Sequence, residues 1–496
     1  MMRTIVVAVV AVAALGGGCG GGGGTGARGA PPAPPAPVVA PGYDAARWIP
    51  ARPTYAAAAR SVRDAQDAVL DLIASFGALV DADAGELSLA LGRLIVVDPL
   101  SPDALEAIGI DTAGGLAVFS EAIDPTFVVH LAAPEQTQAF FTHQRRAGMQ
   151  ARSMMVDGVE VFTTTLRGGL PASWAIADGW LWVHFALTRA GGGETAWFSS
   201  SRRPGAPAWA GDWTWAIGGG GQGARPAIAG FVDTRALIER VSQRIPAAIA
   251  CARLLSPIGR FGVTLEADGK RLGGRLAVEV GAGAAAGIAR AILPPSDAWS
   301  AAAARAPLAA QWNVDLALVR AWLAPCAVAF GAGPDPLEAY GVRTARAILH
   351  HYDHDKPTKS RGVAAFDLAH RTYATKLLDE IPGRSLIQRK RTFGPYQGHA
   401  IAIPFGPTIE YVLEDHLALA GLGEGELAAV AGPAGARGPL LAIDVSPPAM
   451  SHASWSGLLG MVNLRPDALL RWRELHLALA LDGARLVLDV SGSRLE

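Results

Sequence analysis

Trp174-Ala175-Ile176-Ala177-Asp178-Gly179-Trp180-Leu181-Trp182-Val183-His184-Phe185 decides the fold class. An Asp-Gly pair between two apolar runs is a strong hairpin signal, because glycine takes the positive φ that a tight two-residue turn demands. Three further pairs, Asp157-Gly158, Asp268-Gly269 and Asp482-Gly483, sit between similar runs. The last is entered by Leu475–Leu481 and left by Leu486-Val487-Leu488-Asp489-Val490. The chain is therefore expected to build antiparallel sheets.

Helices punctuate the hairpins. Ser101-Pro102-Asp103-Ala104-Leu105-Glu106-Ala107-Ile108-Gly109 combines a capping serine, a first-turn proline and an exit glycine. Asp335-Pro336-Leu337-Glu338-Ala339-Tyr340-Gly341 repeats that grammar. The neighbouring segments correspond as well. Leu116–Phe119, a turn at Asp124-Pro125 and Phe127–Leu131 match Ala347–Leu349, a turn near Asp355–Pro357 and Gly362–Leu368. Expected helices follow at Pro134–Ala147 and Asp367–Ile381. Trp174–Trp182 aligns with Tyr411–Leu419, and Phe231–Leu237 with Met461–Arg465. The pattern reads as an α+β fold: an internally duplicated unit of antiparallel β-hairpins forming sheets, with helices packed on one face. The units are placed at residues 43–300 and 301–496, the first with an additional helix over Tyr55–Phe76.

Composition agrees with a folded chain. Half of the 496 residues are hydrophobic, 18% are charged and the mean hydropathy is +0.26, which argues against a disordered protein and leaves a sizeable core. The 43 basic and 44 acidic residues nearly cancel, so no overall charge draws the chain to nucleic acid or anionic lipid. Only Lys270, Lys356, Lys359, Lys376 and Lys390 are lysines; the excess of arginine, alanine and glycine matches a GC-rich genome.

The N-terminus sets the expected address. Arg3 precedes the apolar run Ile5–Leu15, too short for a membrane span, which needs about 20 residues, and of signal-peptide length. Gly16-Gly17-Gly18 then leads to Cys19. Residues 1–19 read as a lipoprotein-type signal peptide with Cys19 as the acylated residue, and the Gly/Pro-rich residues 20–42 as a disordered tether. Gly20 offers neither acid nor hydrophobe to retain the chain at the inner membrane, which places the anchor at the outer membrane. In an oxidising envelope Cys251 and Cys326 are expected to form a disulfide.

The Cys19 start, the tether, the turns "LEAIGID" (Leu105–Asp111) and "LEAYGVR" (Leu337–Arg343) and the repeated segment "FVDTRAL" (Phe231–Leu237) resemble uncharacterised exported lipoproteins of myxobacteria-like, high-GC Gram-negative bacteria. The resemblance implies a fold and an address, and it carries over no catalytic residue.

Two clusters carry candidate chemistry. His350-His351-Tyr352-Asp353-His354-Asp355 gathers imidazoles and carboxylates suited to a divalent transition metal, with His350, His351, Asp353 and His354 as ligands. On strands, however, successive side chains alternate faces, and the segment falls at a hairpin tip. Trp180 with Trp182, and Trp213 with Trp215, are two apart and share a face if both segments are strands. Exposed, they would bind a sugar or an apolar partner; buried, they are core. Gly218–Gly223 and Gly281–Gly287 satisfy glycine-rich patterns but lack the surrounding strand–helix–strand unit of a dinucleotide site, so no cofactor is expected. Glu410 and Glu414 read as solvated hairpin residues. GxSxG, SxxK and HExxH are absent from the sequence. The reading that follows is a non-enzymatic, lipid-anchored envelope protein binding a protein, glycan or lipid. Its alternatives are a metal-dependent hydrolase using His350–Asp355, or a hydrophobic-ligand carrier lined by Trp174–Trp215.

Overall fold

Asp157 and Gly158 take φ of 50° and 77°, and Asp178 and Gly179 take 51° and 79°, as two-residue I′ turns require. The computed structural model describes residues 40–80, 85, 97–166, 169–186, 195–203, 205–217, 226–242, 258–267, 270–319, 321, 341–370, 372–373, 375, 388–403, 406–432, 435, 438–460 and 469–495. It divides into two compact units, Met1–Glu279 and Val280–Glu496. Cys19, Cys251, Cys326, Asp268-Gly269, Gly218–Gly223, Asp335–Tyr340 and Met461–Arg465 lie outside the described residues.

The first unit contains a 3-10 helix at Asp44–Trp48, then β1 (Tyr55–Ala59), α1 (Val62–Val80), α2 (Pro102–Glu106), β2 (Leu116–Ser120), β3 (Thr126–His130) and α3 (Pro134–Arg146). The hairpins β4 (Ala151–Val156) with β5 (Val159–Thr165), and β6 (Pro171–Ala177) with β7 (Trp180–Phe185), follow. Then come α4 (Ala196–Arg202), α5 (Ala210–Ile217), β8 (Ile228–Asp233), α6 (Thr234–Ser242), β9 (Ile258–Ala267) and β10 (Arg271–Val280). From β9 to β4 the ladder runs β9-β8-β1-β2-β3-β7-β6-β5-β4, antiparallel throughout. β10 pairs with β9.

The second unit holds α7 (Ala282–Ala291), α8 (Asp297–Ala303), β11 (Leu308–Trp312), β12 (Val342–His351), β13 (Arg361–Leu368), β14 (Gln388–Phe393), β15 (Tyr396–Ala402), β16 (Thr408–Leu413) and β17 (Leu417–Leu422). It ends with α9 (Glu426–Val430), β18 (Leu441–Val445), α10 (His452–Gly460), β19 (Trp472–Asp482) and β20 (Arg485–Arg494). Its antiparallel ladder is β20-β19-β18-β11-β12-β13-β17-β16-β15-β14. Counted from the first strand of each unit, the two orders are the same.

Three expectations need correction. Tyr55–Ala59 is the strand β1, bonded on both sides to β2 and β8, and the helix starts only at Val62. Alanine favours helices, but here its small side chain admits a close neighbour: a Cβ at Gly230 of β8 would stand 2.7 Å from that of Ala57. Asp367 and Leu368 likewise belong to β13, not to the start of a helix. Helices are not confined to one face. Trp174 faces α3, stacking on Phe141 (4.6 Å) and Phe162 (5.2 Å). Trp182, on the opposite face of the same hairpin, meets Trp48 (5.0 Å) and Phe198 of α4 (5.5 Å). Both faces of these strands are apolar, so both must be covered. The division at Val280 groups α7 and α8 with the second unit. The reason is visible in the packing, since Trp299, Ala302 and Ala303 of α8 join the core of the second unit.

Candidate functional site

The histidine cluster is dispersed by strand geometry. His350, near the end of β12, pairs through Nδ1 with Glu426 at the start of α9, and Arg361 Nε reaches the other oxygen of Glu426 at 2.7 Å. Asp353 turns back on its own loop, where Oδ1 accepts the amides of Lys356 (2.9 Å) and Asp355 (3.1 Å). These bonds, led by that from Lys356, hold its carboxyl below the usual range. His354 lies against Gly457, where a Cβ would stand 2.6 Å from its Nδ1. His351 is exposed at the strand end. Among the described residues no group of three or more His, Cys, Asp or Glu is placed to hold a metal ion.

What His350 does join is an ionic network that its own segment could not reveal. Glu410 on β16, expected in solvent, is fully buried. Its two oxygens accept the Gly425 amide at 2.9 Å and the Leu427 amide at 3.3 Å, the otherwise orphan donors at the start of α9. Arg391 on β14 stands 3.4 Å from Glu410 and 2.6 Å from Glu424; the hydrogen bond to Glu424 is the main cause of its raised pKa. Glu424, Glu426, Arg361 and Arg391 come from three separate segments, so only pairing across the sheet brings them together. A second buried group lies on the same unit: Arg346 donates to Asn313 Oδ1 (2.6 Å) and Leu293 O (2.6 Å) and pairs with Asp367 (3.0 Å). Burial lowers its pKa, and Asp367 opposes that shift. In both networks each carboxylate is spent on an arginine or a backbone amide.

Trp180, Trp182, Trp213 and Trp215 are buried, so they form core rather than an exposed aromatic patch. Trp180 and Trp182 share a face of β7 as expected. Trp213 and Trp215, by contrast, lie on α5, where positions two apart point roughly 200° apart around the axis. Trp213 meets Tyr43 (5.2 Å) and Trp209 (5.8 Å), whereas Trp215 lies under the Arg260 guanidinium (4.7 Å). The indole N–H groups of Trp48, Trp174, Trp182, Trp209 and Trp213 are buried without an acceptor among the described residues. His184 on β7 stacks on Trp197 at 4.9 Å and bonds Thr126 Oγ1 at 2.9 Å; desolvation lowers its pKa to about 4.

Two surface hollows lie on the first unit. One, of about 320 Å³, is bounded by Arg52, Glu121, Trp209, Asp212, Asp233 and Glu239. The other, of about 760 Å³, is bounded by Arg60, Arg63, Asp64, Glu106, Asp111 and Gln136. Many of their charges serve one another or the backbone: Arg260 takes Asp212 (2.6 Å), Arg63 takes Glu106 (3.1 Å), and Asp233 caps the Ala236 amide (3.1 Å).

The exposed feature that sequence reading missed is β4. Met154 and Met155 are 48% and 67% exposed, and among the described residues β4 pairs with β5 alone. Adjacent methionines break the alternation of a half-buried strand. Such a break marks an edge only after the strand order is known.

No family model matches the chain, and no curated protein matches it. Three solved structures show a slight likeness. Crystal form III of TP0453 is 12% identical, covers 50% of this chain and 86% of its own, and has a TM-score of 0.28. Crystal form IV is 10% identical, covers 47% and 78%, and scores 0.26. Crystal form I is 11% identical, covers 47% and 77%, and also scores 0.26. At that level the likeness carries neither fold nor function to this chain.

Proposed function

We propose that the protein is a non-enzymatic cell-envelope lipoprotein, anchored through Cys19 and probing its surroundings with a partner-binding surface. The address rests on the run Ile5–Leu15, the cysteine and the tether. The binding half rests on one observation, the open edge of β4 with Met154 and Met155 in solvent. Methionine is flexible and polarizable, and exposed methionines serve adaptable binding surfaces. A protein partner is favoured over a glycan or lipid because an open strand edge offers backbone donors and acceptors that another chain can match. Cys19→Ala should move the protein from the membrane to the soluble envelope fraction; unchanged membrane retention would defeat the anchor.

The two units are read as copies of one duplicated ancestor. Their common strand order supports this, as does the agreement of β6–β7 with β16–β17, the segments aligned from sequence as Trp174–Trp182 and Tyr411–Leu419. The last aligned pair changes. β18, Leu441–Val445, holds the place of β8, so Phe231 corresponds to this strand rather than to Met461–Arg465.

A second reading, the hydrophobic-ligand carrier, draws on the five buried indole donors of the first unit, Trp48, Trp174, Trp182, Trp209 and Trp213, that have no acceptor among the described residues. Each such donor costs about 1–3 kcal/mol, and a ligand with oxygen acceptors would relieve part of that cost. Lipid recovered in stoichiometric amount with the native protein would favour it.

A further inference from the structure

We propose that the free edge of β4 is a strand-addition site for an extended polypeptide that alternates apolar with acidic side chains. This rests on the partner-binding reading and names the partner's chemistry. The backbone argument begins at the Asp157-Gly158 turn. A two-residue turn makes Val156 and Val159 a hydrogen-bonded pair, and the pattern then alternates along the ladder. Val156, Met154 and Arg152 therefore bond inward to β5. Ala151, Ser153 and Met155 aim their N–H and C=O groups outward, where no strand among the described residues takes them. A second polypeptide satisfies such a row of alternating donors and acceptors.

Side chains fix the partner's character. Met154 and Met155 project on opposite faces of β4 and both stand in solvent, so an added strand finds apolar contact on either side. Charge selects the rest. Arg152 lies on the edge itself and has no ion-pair partner among the described residues. Arg145 is exposed with its guanidinium 5.2 Å from the Phe162 ring, and Phe162 is the β5 residue opposite Ser153. Against these two cations the hairpin sets Glu160 beside Met155, while the Asp157 carboxylate is engaged by Arg203 at 3.2 Å. The edge is thus locally positive and complementary to an acidic strand. A second copy of β4 fits poorly. Antiparallel pairing about Ser153 would bring two Arg152 side chains into diagonal proximity on one face, and like charges there are unfavourable.

The full-length protein is titrated with a blocked synthetic peptide alternating valine and glutamate, and with its valine–lysine counterpart. The expected result is saturable binding of the glutamate peptide, no binding of the lysine peptide, and slowed amide exchange at Ala151, Ser153 and Met155. Ser153→Pro removes an outward N–H that makes no ladder bond, and it should weaken binding by up to about tenfold, the scale of one lost backbone hydrogen bond; Ser153→Thr should not. If Ser153→Pro fails to fold, the exchange pattern and the Met154→Ser/Met155→Ser double variant decide, with the same weakening expected. Equal binding of the two peptides, undiminished binding by the variants, or no saturable binding would overturn the proposal. So would a dimer that Ser153→Pro abolishes, since that assigns the edge to a second copy. Crosslinking in intact cells separates this inference from the broader reading. A partner captured equally by wild type and Ser153→Pro removes the β4 site alone, whereas no partner for the wild type removes the binding function itself.

Discussion

Where β6 of the first unit carries Ser173, β16 of the second carries Glu410; where β7 carries Trp182 and His184, β17 carries Leu419 and Gly421. The strand order around these positions is the same, yet the sheet face is filled by different physics. In the first unit indole and phenyl rings meet edge to face, from Trp48 and Phe198 onto Trp182. In the second, smaller aliphatic side chains leave room for a buried carboxylate that serves the amides of α9. The outermost strands differ in the same spirit: β14 presents Arg389, Lys390 and Arg391, whereas β4 presents Met154 and Met155. Three successive cations along an edge discourage pairing with any strand that is not itself acidic, whereas exposed methionines invite apolar contact. Strand order is set by backbone pairing and by which faces must be dry; it leaves the chemistry of the filling free.

The largest expected effect breaks the aromatic side of the comparison. Trp182→Ala should cost about 3–5 kcal/mol of stability, because a buried ring leaves a cavity that its neighbours only partly close. Leu419→Ala should cost less, about 2–4 kcal/mol. Urea unfolding of both variants checks the order, and equal losses would mean that the two faces are packed alike.

Acid titration comes next, and one histidine of each unit should contribute in the opposite sense. His184 has a folded pKa of about 4, below the unfolded value, so the unfolded chain takes up its proton first. Its contribution is present above about pH 6.5 and is lost as pH falls toward 4, a change of about 3 kcal/mol. His476 is raised, chiefly by its hydrogen bond to Asp444, so its contribution is present below the unfolded pKa and is lost as pH rises through the folded one. Urea midpoints across pH 4–8 for His184→Gln and His476→Gln should separate the two slopes. The acid slope surviving in His184→Gln would refute the assignment.

Glu410→Gln should cost about 1–3 kcal/mol, since the buried amides of Gly425 and Leu427 lose a charged acceptor and Arg391 loses a partner. Its counterpart Ser173→Ala, which loses only a hydroxyl contact with Thr163 at 3.2 Å, should cost about 1 kcal/mol. The smallest effect concerns the caps. Ser296 accepts from the Trp299 amide and donates to Val430 O, both at 3.0 Å, whereas Ser101 accepts only from the Ala104 amide at 3.3 Å. Ser296→Ala should therefore lower the thermal midpoint more than Ser101→Ala, each by the equivalent of about 1 kcal/mol.

Much of the ladder was legible because turns are local. Asp157-Gly158, Asp178-Gly179 and Asp482-Gly483 each announced a hairpin that forms, and Ser101-Pro102 announced α2. Strand β1 was not legible, because Tyr55–Ala59 is helical by propensity and a strand only by virtue of two neighbours distant in sequence. The faces of Trp213 and Trp215 were not legible for the converse reason, since a short apolar run suits either a strand or a buried helix, and theirs is a helix. The edge of β4 and the burial of Glu410 depend on strand order and on the loop Gly423–Gly425, which no local pattern encodes.

The central claim, an anchored binding protein, is tested most directly by the native mass of the protein extracted gently from its own membranes. The account predicts a polypeptide beginning at Cys19 and carrying acyl chains, with no stoichiometric metal. An unacylated chain, or a tightly held metal ion at unit stoichiometry, would contradict it.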